Sequence, residues 1–434
     1  MYALVDCNNF YVSCERAFNP ALAQLPVVVL SNNDGCIISR SAEAKALGIQ
    51  MGAPLFQVKS LLQEHGVRVF SSNYALYGDM SQRVMNYLAG AAPAVEIYSI
   101  DECFLDLRSL QRWHAPDLTA FGQRVRRQVL RRTHIPTCVG IAPTKTLAKA
   151  ANRIAKKHPE LEGVLCLAAE ATRRWALEKL PVEDVWGIGH RYARKLHEHG
   201  IRTAAQLAGV RESWARRQLG GVVGARLVRE LQGYPCQELA PSEDGTLARQ
   251  RIACTRTFGQ PLTAYPDVLQ ALAHFTARGA EKLRRQGSAA HLLTVFVCPG
   301  RFGADAQPSR AATLALPAAS SDTGQLLTLV RAALKKLWRP GTVYHKAGVL
   351  LDGLEPAGRQ QLGLFDDPAV AERRAHLLQH LDAINQRFGR HKVCFATMLA
   401  PAGGLPPRWQ TRHERRSPAY TTSWEELWTV AATG

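Results

Sequence analysis

Two adjacent carboxylates, Asp101 and Glu102, stand in the middle of the strand-like run "YSIDECFLDL" at residues 98–107, and a third, Asp106, follows. An ionised carboxylate is rarely buried without a partner, because its desolvation costs several kcal/mol or more. A cation is therefore expected beside this pair. In a strand, successive side chains face opposite ways, so the two acids diverge unless the strand bends or ends there. Asp6, in the strand-like "YALVDC" of residues 2–7, is the natural third member. Hard oxygen donors of this kind suit Mg²⁺, which is commonly held by a few carboxylates together with substrate phosphates. Two such ions would support phosphoryl transfer, one activating the attacking oxygen and the other the leaving group. The alternative is an edge-strand acid pair facing water or an arginine. Asp106, past the pair, is assigned a structural part.

The neighbours of these acids point the same way. Phe10 and Tyr11 follow Asp6 closely in "DCNNFYVSCE". An aromatic there packs either beside a bound sugar or into the core. Lys45 lies on a short helix, and Lys149 and Lys156 lie seven residues apart on roughly one face of another. Lysines so placed can neutralise a triphosphate, although a solvated helix face is their commoner fate. A second motif is "VEDVWGIGHRYARKLHEHGIRTAAQLAG" at 182–209, where Gly187-Ile188-Gly189 forms a tight turn between short helices. It resembles a helix–hairpin–helix, whose glycine turn brings backbone N–H groups to a DNA phosphate. Arg191, Arg194 and Lys195 are its basic neighbours, and a second helix pair is expected after Gly200. His190, His197 and His199 are read as surface residues, since no Cys or carboxylate completes a ligand set. A third motif, "RQQLGLFDDP" at 359–368, is a short apolar cluster in a polar setting. Such a peptide either binds a partner or folds back on its own domain.

Alternating patterns supply the elements that must position these groups. Strands are expected at 2–7, 25–30, 94–107 (as one long strand) and 136–142. Helices are expected at 39–48, with Ser39 or Ser41 as its cap and Gly48 as its stop, and at 117–133 and 143–157. A mostly helical stretch, about 169–236, is followed by the polar linker "CQELAPSEDGT". Beyond it, strands near 252–257, 292–297, 312–317 and 344–354 alternate with helices at 267–286 and 323–338. A further helix near 368–388 precedes a basic, Pro-rich tail. At about 150 residues per domain, 434 residues suggest three or four units. The net charge of +18, from 54 basic and 36 acidic residues, favours a polyanionic partner: nucleic acid or an anionic membrane surface. No apolar run is long enough to span a bilayer, and no signal peptide is read at "MYALVDC". The ten cysteines form no CxxC pair and read as reduced thiols of a cytoplasmic protein.

Taken together, "ALVDCNNFYVSCE", "SNNDGCIISRSAEAKALGIQMG", "SSNYALYGDMS", "YSIDECFLDL" and "CVGIAPTKTLAKAAN" resemble the Y-family translesion DNA polymerases. Within that family they look like the UmuC branch, the catalytic subunit of DNA polymerase V with its plasmid-borne relatives. The resemblance covers nearly the whole chain. It implies an α+β multidomain right-hand architecture. Its parts would be a palm at 1–25 and 76–168, small fingers at 26–75, a helix–hairpin–helix thumb at 169–236 and an α+β little finger at 243–352. A C-terminal tail with a clamp-binding motif would occupy 353–434.

The resemblance also implies roles. Asp6, Asp101 and Glu102 become ligands of two Mg²⁺ ions, with the Cys7 carbonyl adding an oxygen. Tyr11, beside Phe10, matches the steric gate that stacks under the deoxyribose and rejects a 2′-OH. Lys45 and Lys156 align with residues that hold the incoming triphosphate. Many members carry Tyr three residues before an Arg on the fingers helix, whereas here Ala42 precedes Lys45, which leaves Ser39 or Arg40 to substitute. Gly187, Gly189, Arg191 and Lys195 would meet DNA. Gln361, Leu362, Leu364 and Phe365 resemble a β sliding clamp-binding motif. The implied activity is error-prone, template-directed DNA-directed DNA synthesis from dNTPs on primer-template DNA, as translesion synthesis in the SOS response. The implied partners are the clamp, a UmuD′-like dimer and RecA, with no membrane. The rivals are a two-metal nuclease or cyclase, and a catalytically inactive DNA-binding scaffold that recruits the clamp.

Overall fold

The structure, a computed structural model, describes residues 1–108, 117–240, 249–300, 307–359, 368–399 and 407–427. The apolar run "YALVDC" forms strand β1 (Tyr2–Cys7), and a turn through Asn8 and Asn9 leads into helix Phe10–Phe18. Next come β2 (Val27–Leu30), β3 (Ile37–Arg40) and β4 (Arg68–Ser71), which form a three-stranded sheet in the order β3-β2-β4. This sheet carries helix Ala42–Ala46, capped by Ser41, whose side chain accepts from the Ala44 N–H. Of the two expected caps, only Ser41 serves.

The stretch at 94–107 is not one long strand. It breaks into β5 (Val95–Ile97) and β6 (Glu102–Asp106), which pair antiparallel as a hairpin, Val95 opposite Leu105. The cause is local. Ser99 Oγ accepts from the Asp101 and Glu102 N–H groups at 3.3 and 3.0 Å, and the Tyr98 and Ser99 N–H groups both donate to the Glu102 carbonyl. A serine hydroxyl taking backbone donors in this way competes with ladder bonds and turns the chain. Strands β7 (Thr137–Ala142) and β8 (Val164–Cys166) complete a five-stranded sheet, β5-β6-β1-β7-β8.

Alternation along β1 sorts the core. Ala3, Val5 and Cys7 join Cys103, Leu105, Val139 and Ile141 beneath helices Phe10–Phe18, Tyr74–Ala89 and Leu118–Thr133. Leu4 and Phe104 face the other way, into a core shared with helix Lys145–Lys157 and with Leu177, Leu196, Leu207 and Val228 of the helical region. Helix Lys145–Lys157 lies unusually close to β7. A Cβ at Gly140 would stand 2.2 Å from the Ala148 carbonyl oxygen and 2.4 Å from the Asn152 nitrogen.

A third sheet, β11-β10-β12-β9, is built from β9 (Ile252–Leu262), β10 (Ser288–Pro299), β11 (Arg310–Ser320) and β12 (Tyr344–Pro356). Helices Tyr265–Arg285 and Thr323–Leu337 cover it. The chain divides into two compact units. One holds Met1–Ser31, Gly35–Leu247 and Arg415–Gly434, and the other Asn32–Asp34 and Ala248–Glu414. All ten cysteines are free, and Cys7, Cys103, Cys138 and Cys298 are buried, as their apolar contexts suggest. Among the described residues no helix is long and apolar enough to cross a membrane.

Candidate active site

Strand register brings the acids together. Asp6 on β1 stands directly opposite Glu102 on β6, so both side chains emerge on the Leu4 and Phe104 face of the sheet. Asp101 sits in the turn before β6, and its carbonyl accepts from the Cys7 N–H at 2.8 Å. Its carboxylate accepts from Ser99 Oγ at 2.6 Å.

Helix Lys145–Lys157 lays a row of lysines over these acids. Lys145 meets Glu96 at 2.6 Å, Lys149 meets Glu102 at 2.7 Å and Lys156 meets Asp6 at 2.5 Å. Positions four and eleven residues apart share one helical face, which explains why one helix serves three acids. Lys149 also lies 4.4 Å from the Tyr98 ring centroid and 5.2 Å from that of Trp186. Lys145 is anchored by the Glu238 carbonyl and serves structure. Burial pushes the Asp6 carboxyl up to about 6, assisted by Glu102 and Asp101 and opposed by Lys156. The lysines thus compensate the acid cluster only in part.

Among the described residues, no three His, Cys, Asp or Glu side chains are gathered as a metal-ligand cluster. Asp6 and Glu102 lean to their lysines and Asp101 to Ser99. The donor set is nonetheless all oxygen, adjacent in the fold, and short of positive charge. That chemistry fits a hard divalent cation.

The aromatic pair after Asp6 divides. Phe10 is 4% exposed and belongs to the core. Tyr11 is half-buried and stacks on Tyr77, with centroids 4.6 Å apart and rings 19° from parallel, while Tyr74 meets it edge-on. Burial pushes the Tyr11 hydroxyl up to about 12, so it stays protonated. Lys45 reaches Asn9 Oδ1 at 2.5 Å, and Ser39 Oγ donates to the Asn9 carbonyl at 3.3 Å. Asn9 holds a left-handed backbone, φ 47, at the start of helix Phe10–Phe18. It ties both residues of the 37–46 segment to the strand that carries Asp6. Arg40 is spent on the Ile49 carbonyl. Asn9 carries no chemistry-bearing group that marks it in the sequence, although an Asn pair between a strand and a helix is itself a turn signal.

In the helical region, Gly187 takes φ +92 and Gly189 opens helix His190–Glu198 without any side-chain cap. Nothing lies within 4 Å of where a Cβ would stand on either glycine. The first-turn N–H groups have no side-chain cap to satisfy them, as an anion site requires. Arg191 and Arg194 are exposed, whereas Lys195 is tied to the Gln218 carbonyl at 3.0 Å. His190, His197 and His199 are exposed. A second glycine turn, Gly220-Gly221 with φ +81 and +73, opens helix Val222–Gln232, again without a side-chain cap. It was legible only as a helix pair after Gly200. Asp106 is engaged by Arg108 in a forked pair at 2.6–3.1 Å and takes no part in the site. Gln361, Leu362, Leu364 and Phe365 lie outside the described residues.

These parts define a right-hand DNA polymerase fold, in which a central sheet with acids at its strand ends, a small three-stranded attachment and a glycine-hairpin region precede a separate α+β unit. Solved structures agree. A Y-family chimera of the polymerases Dbh and Dpo4 aligns with TM-score 0.65 at 20% identity, covering 81% of this chain and 98% of its own. DinB from Sulfolobus solfataricus aligns at TM-score 0.53 with 20% identity, covering 81% and 98%. The impB/mucB/samB family matches residues 5–153, its helix–hairpin–helix motif 171–201, and its C-terminal domain 249–364. A domain of unknown function matches 375–430. The protein ImpB of Salmonella typhimurium is 44% identical over 98% of this chain and 99% of its own, and UmuC of the LT2 strain matches to the same extent. The chain belongs to the impB/mucB/samB family, the UmuC branch of the Y-family DNA polymerases.

Proposed function

We propose that this chain performs error-prone, template-directed translesion synthesis in the SOS DNA-damage response, through a site held by Asp6, Asp101 and Glu102. One observation carries the site assignment: the register that sets Asp6 opposite Glu102 and hydrogen-bonds the Asp101 carbonyl to the Cys7 N–H. Asp6, Asp101, Glu102 and the Cys7 carbonyl would hold two Mg²⁺ ions. Bound there, the ions would lower the pKa of a primer 3′-OH and support the departing pyrophosphate.

The chain's own residues do the positioning. Glu102 and Asp6 are held in place by Lys149 and Lys156, whose ammonium groups stand ready for triphosphate oxygens. Lys45, fixed by Asn9, offers charge from the 42–46 helix. Tyr11 presents a rigid ring face to the sugar, backed by Tyr77. The two uncapped glycine turns offer backbone N–H groups to DNA phosphates. Family membership supports the remaining readings: palm, fingers, thumb and little finger at the boundaries given above, a clamp contact at 361–365, a UmuD′-like dimer and RecA as partners, and a cytoplasmic setting.

Primer extension across an abasic site tests the assignment. Wild type should extend with Mg²⁺, and Asp101→Ala should lose roughly 100-fold or more, the scale on which removing a transition-state charge acts. Equal extension by both would remove the chemistry from these acids. No extension by either, with DNA binding intact, would favour the inactive scaffold.

A further inference from the structure

The segment Arg415–Glu426 has no assigned task, yet it reaches the polar groups that stand behind the candidate sugar gate. It enters as an extra pairing on β4. Ser71 N–H donates to the Arg415 carbonyl at 3.0 Å, and Arg415 N–H donates to Ser71 Oγ at 2.9 Å. Asn73, which caps helix Tyr74–Ala89, then donates to the carbonyls of Ser417 and Pro418 and to Ser417 Oγ at 3.0–3.1 Å. Ser417 Oγ in turn donates to Glu15 Oε1 at 3.0 Å. The same oxygen accepts from Tyr77 at 2.6 Å, and Tyr77 is the ring on which Tyr11 stacks. Tyr420 closes the segment by stacking on Phe18 at 5.0 Å, 9° from parallel.

Glu15, Asn73, Tyr77 and Ser417 are all under 5% exposed. A buried latch of this kind has one satisfied arrangement, and it must be shared by every member. We propose that the C-terminal segment, through Ser417, sets the position of Tyr11 and thereby the enzyme's discrimination between deoxyribose and ribose. Ser417, Glu15 and Tyr77 are positioning residues: they act on the sugar only through the Tyr11 ring. The inference rests on Tyr11 being the sugar gate, as read above.

The experiment compares single-nucleotide insertion of deoxy- and ribonucleotides by the full-length chain in four variants, Tyr11→Ala, Ser417→Ala, Tyr77→Phe and the Ser417→Ala/Tyr77→Phe pair, with Ser417→Thr as a fifth, control variant. Thermal unfolding is measured alongside. Tyr77→Phe keeps the stacked ring and removes only its hydroxyl. Each latch variant should lower the deoxy-to-ribo ratio of kcat/KM by about threefold to tenfold, the range one hydrogen bond to a buried group carries. The pair should do no more than the worse single change, because both act through one oxygen. Ser417→Thr, which keeps the hydroxyl, should restore the ratio. If Tyr11→Ala admits ribonucleotides while the latch variants stay within twofold of wild type, the gate stands and the latch is overturned. Latch variants that lower the unfolding midpoint and leave the ratio alone overturn it equally. If Tyr11→Ala leaves the ratio unchanged, the gate reading fails, and this inference falls with it.

Discussion

Glu15 is a single residue with a measurable thermodynamic signature. Burial pushes its carboxyl from 4.5 up to about 7, against the hydrogen bonds from Tyr77 and Ser417. The folded protein therefore holds this proton at pH values where the unfolded chain has released it. Stability is fully present below pH 4.5 and falls as pH rises toward 7. At ~1.4 kcal/mol per pH unit, the gap between 4.5 and about 7 is worth about 3 kcal/mol. Glu15→Gln keeps an accepting oxygen for both hydroxyls and removes the titration. Urea unfolding should find the variant more stable than wild type at pH 8 by up to that amount, and equal at pH 4.5. A variant less stable at pH 8 would show that the ionised form is preferred. Lys149 gives a second test. Removing it leaves Glu102 without its cation and takes the ammonium from over the Tyr98, Phe104 and Trp186 rings. Lys149→Ala should cost about 1–3 kcal/mol, less than a fully buried pair because its partner retains some solvent. Mg²⁺ should restore more stability to the variant than it adds to wild type, because no ammonium then competes for the carboxylate. Equal Mg²⁺ shifts in thermal melting would count against Glu102 as a ligand. The acids themselves were legible from residue type. Their lysine partners were legible only as a helical face, because pairing depends on which strand lies beneath.

At the scale of elements, register and close approach decide what the side chains can do. The run at 94–107 reads as one strand because Val95 and Ile97 share one alternation with Cys103, Leu105 and Leu107 across the polar middle. Its break at Ser99 rests on one hydroxyl bonding two N–H groups, a local competition that periodicity does not record. The bend is also what lets Asp101 and Glu102 serve one site, since an unbroken strand would point them apart. Gly140 illustrates the same dependence from below. A methyl group there meets backbone atoms of helix Lys145–Lys157 at 2.2 and 2.4 Å, so the helix must retreat from β7. Gly140→Ala should cost about 2 kcal/mol or more in denaturant unfolding. Its primer extension should fall further than its folded fraction, because Lys149 and Lys156 move with the helix. Full activity per folded molecule would mean that the lysine row tolerates displacement. The helices at 118–133 and 145–157 were legible almost to the residue, being amphipathic and capped by Asp117 and Thr144. The second glycine turn was legible only as a helix pair after Gly200, because Val222 and Val223 read as apolar core positions yet stand exposed, Val223 at 72%.

For the molecule as a whole, sequence composition separates what packing joins. The Leu4 and Phe104 face of the central sheet and the thumb-like helices share one core, so they form a single compact unit despite their different patterning. The tail was opaque for a related reason: its partners lie far away along the chain, Asn73 and Glu15 against Ser417. Charge is the whole-molecule property most readable from the outset. The net +18 includes exposed Arg124, Arg127, Arg131 and Arg132 on one helix and Arg191 and Arg194 beside the first glycine turn. A duplex bound by such a surface releases counterions as its phosphates are neutralised, so affinity must fall linearly with salt on a log–log plot. Each phosphate contact contributes about 0.9 to that slope. If the Gly187–Gly189 turn lies on the backbone of DNA, Arg191→Ala should reduce the slope by about 1 and weaken binding equally for every sequence. Tyr11→Ala, which alters a sugar contact inside the site, should leave the slope untouched. Fluorescence anisotropy with a primer-template between 50 and 300 mM salt, roughly the range where this effect is steep, separates the two. An unchanged slope for Arg191→Ala would place the hairpin away from phosphate and leave the positive charge of the other helices to hold the duplex.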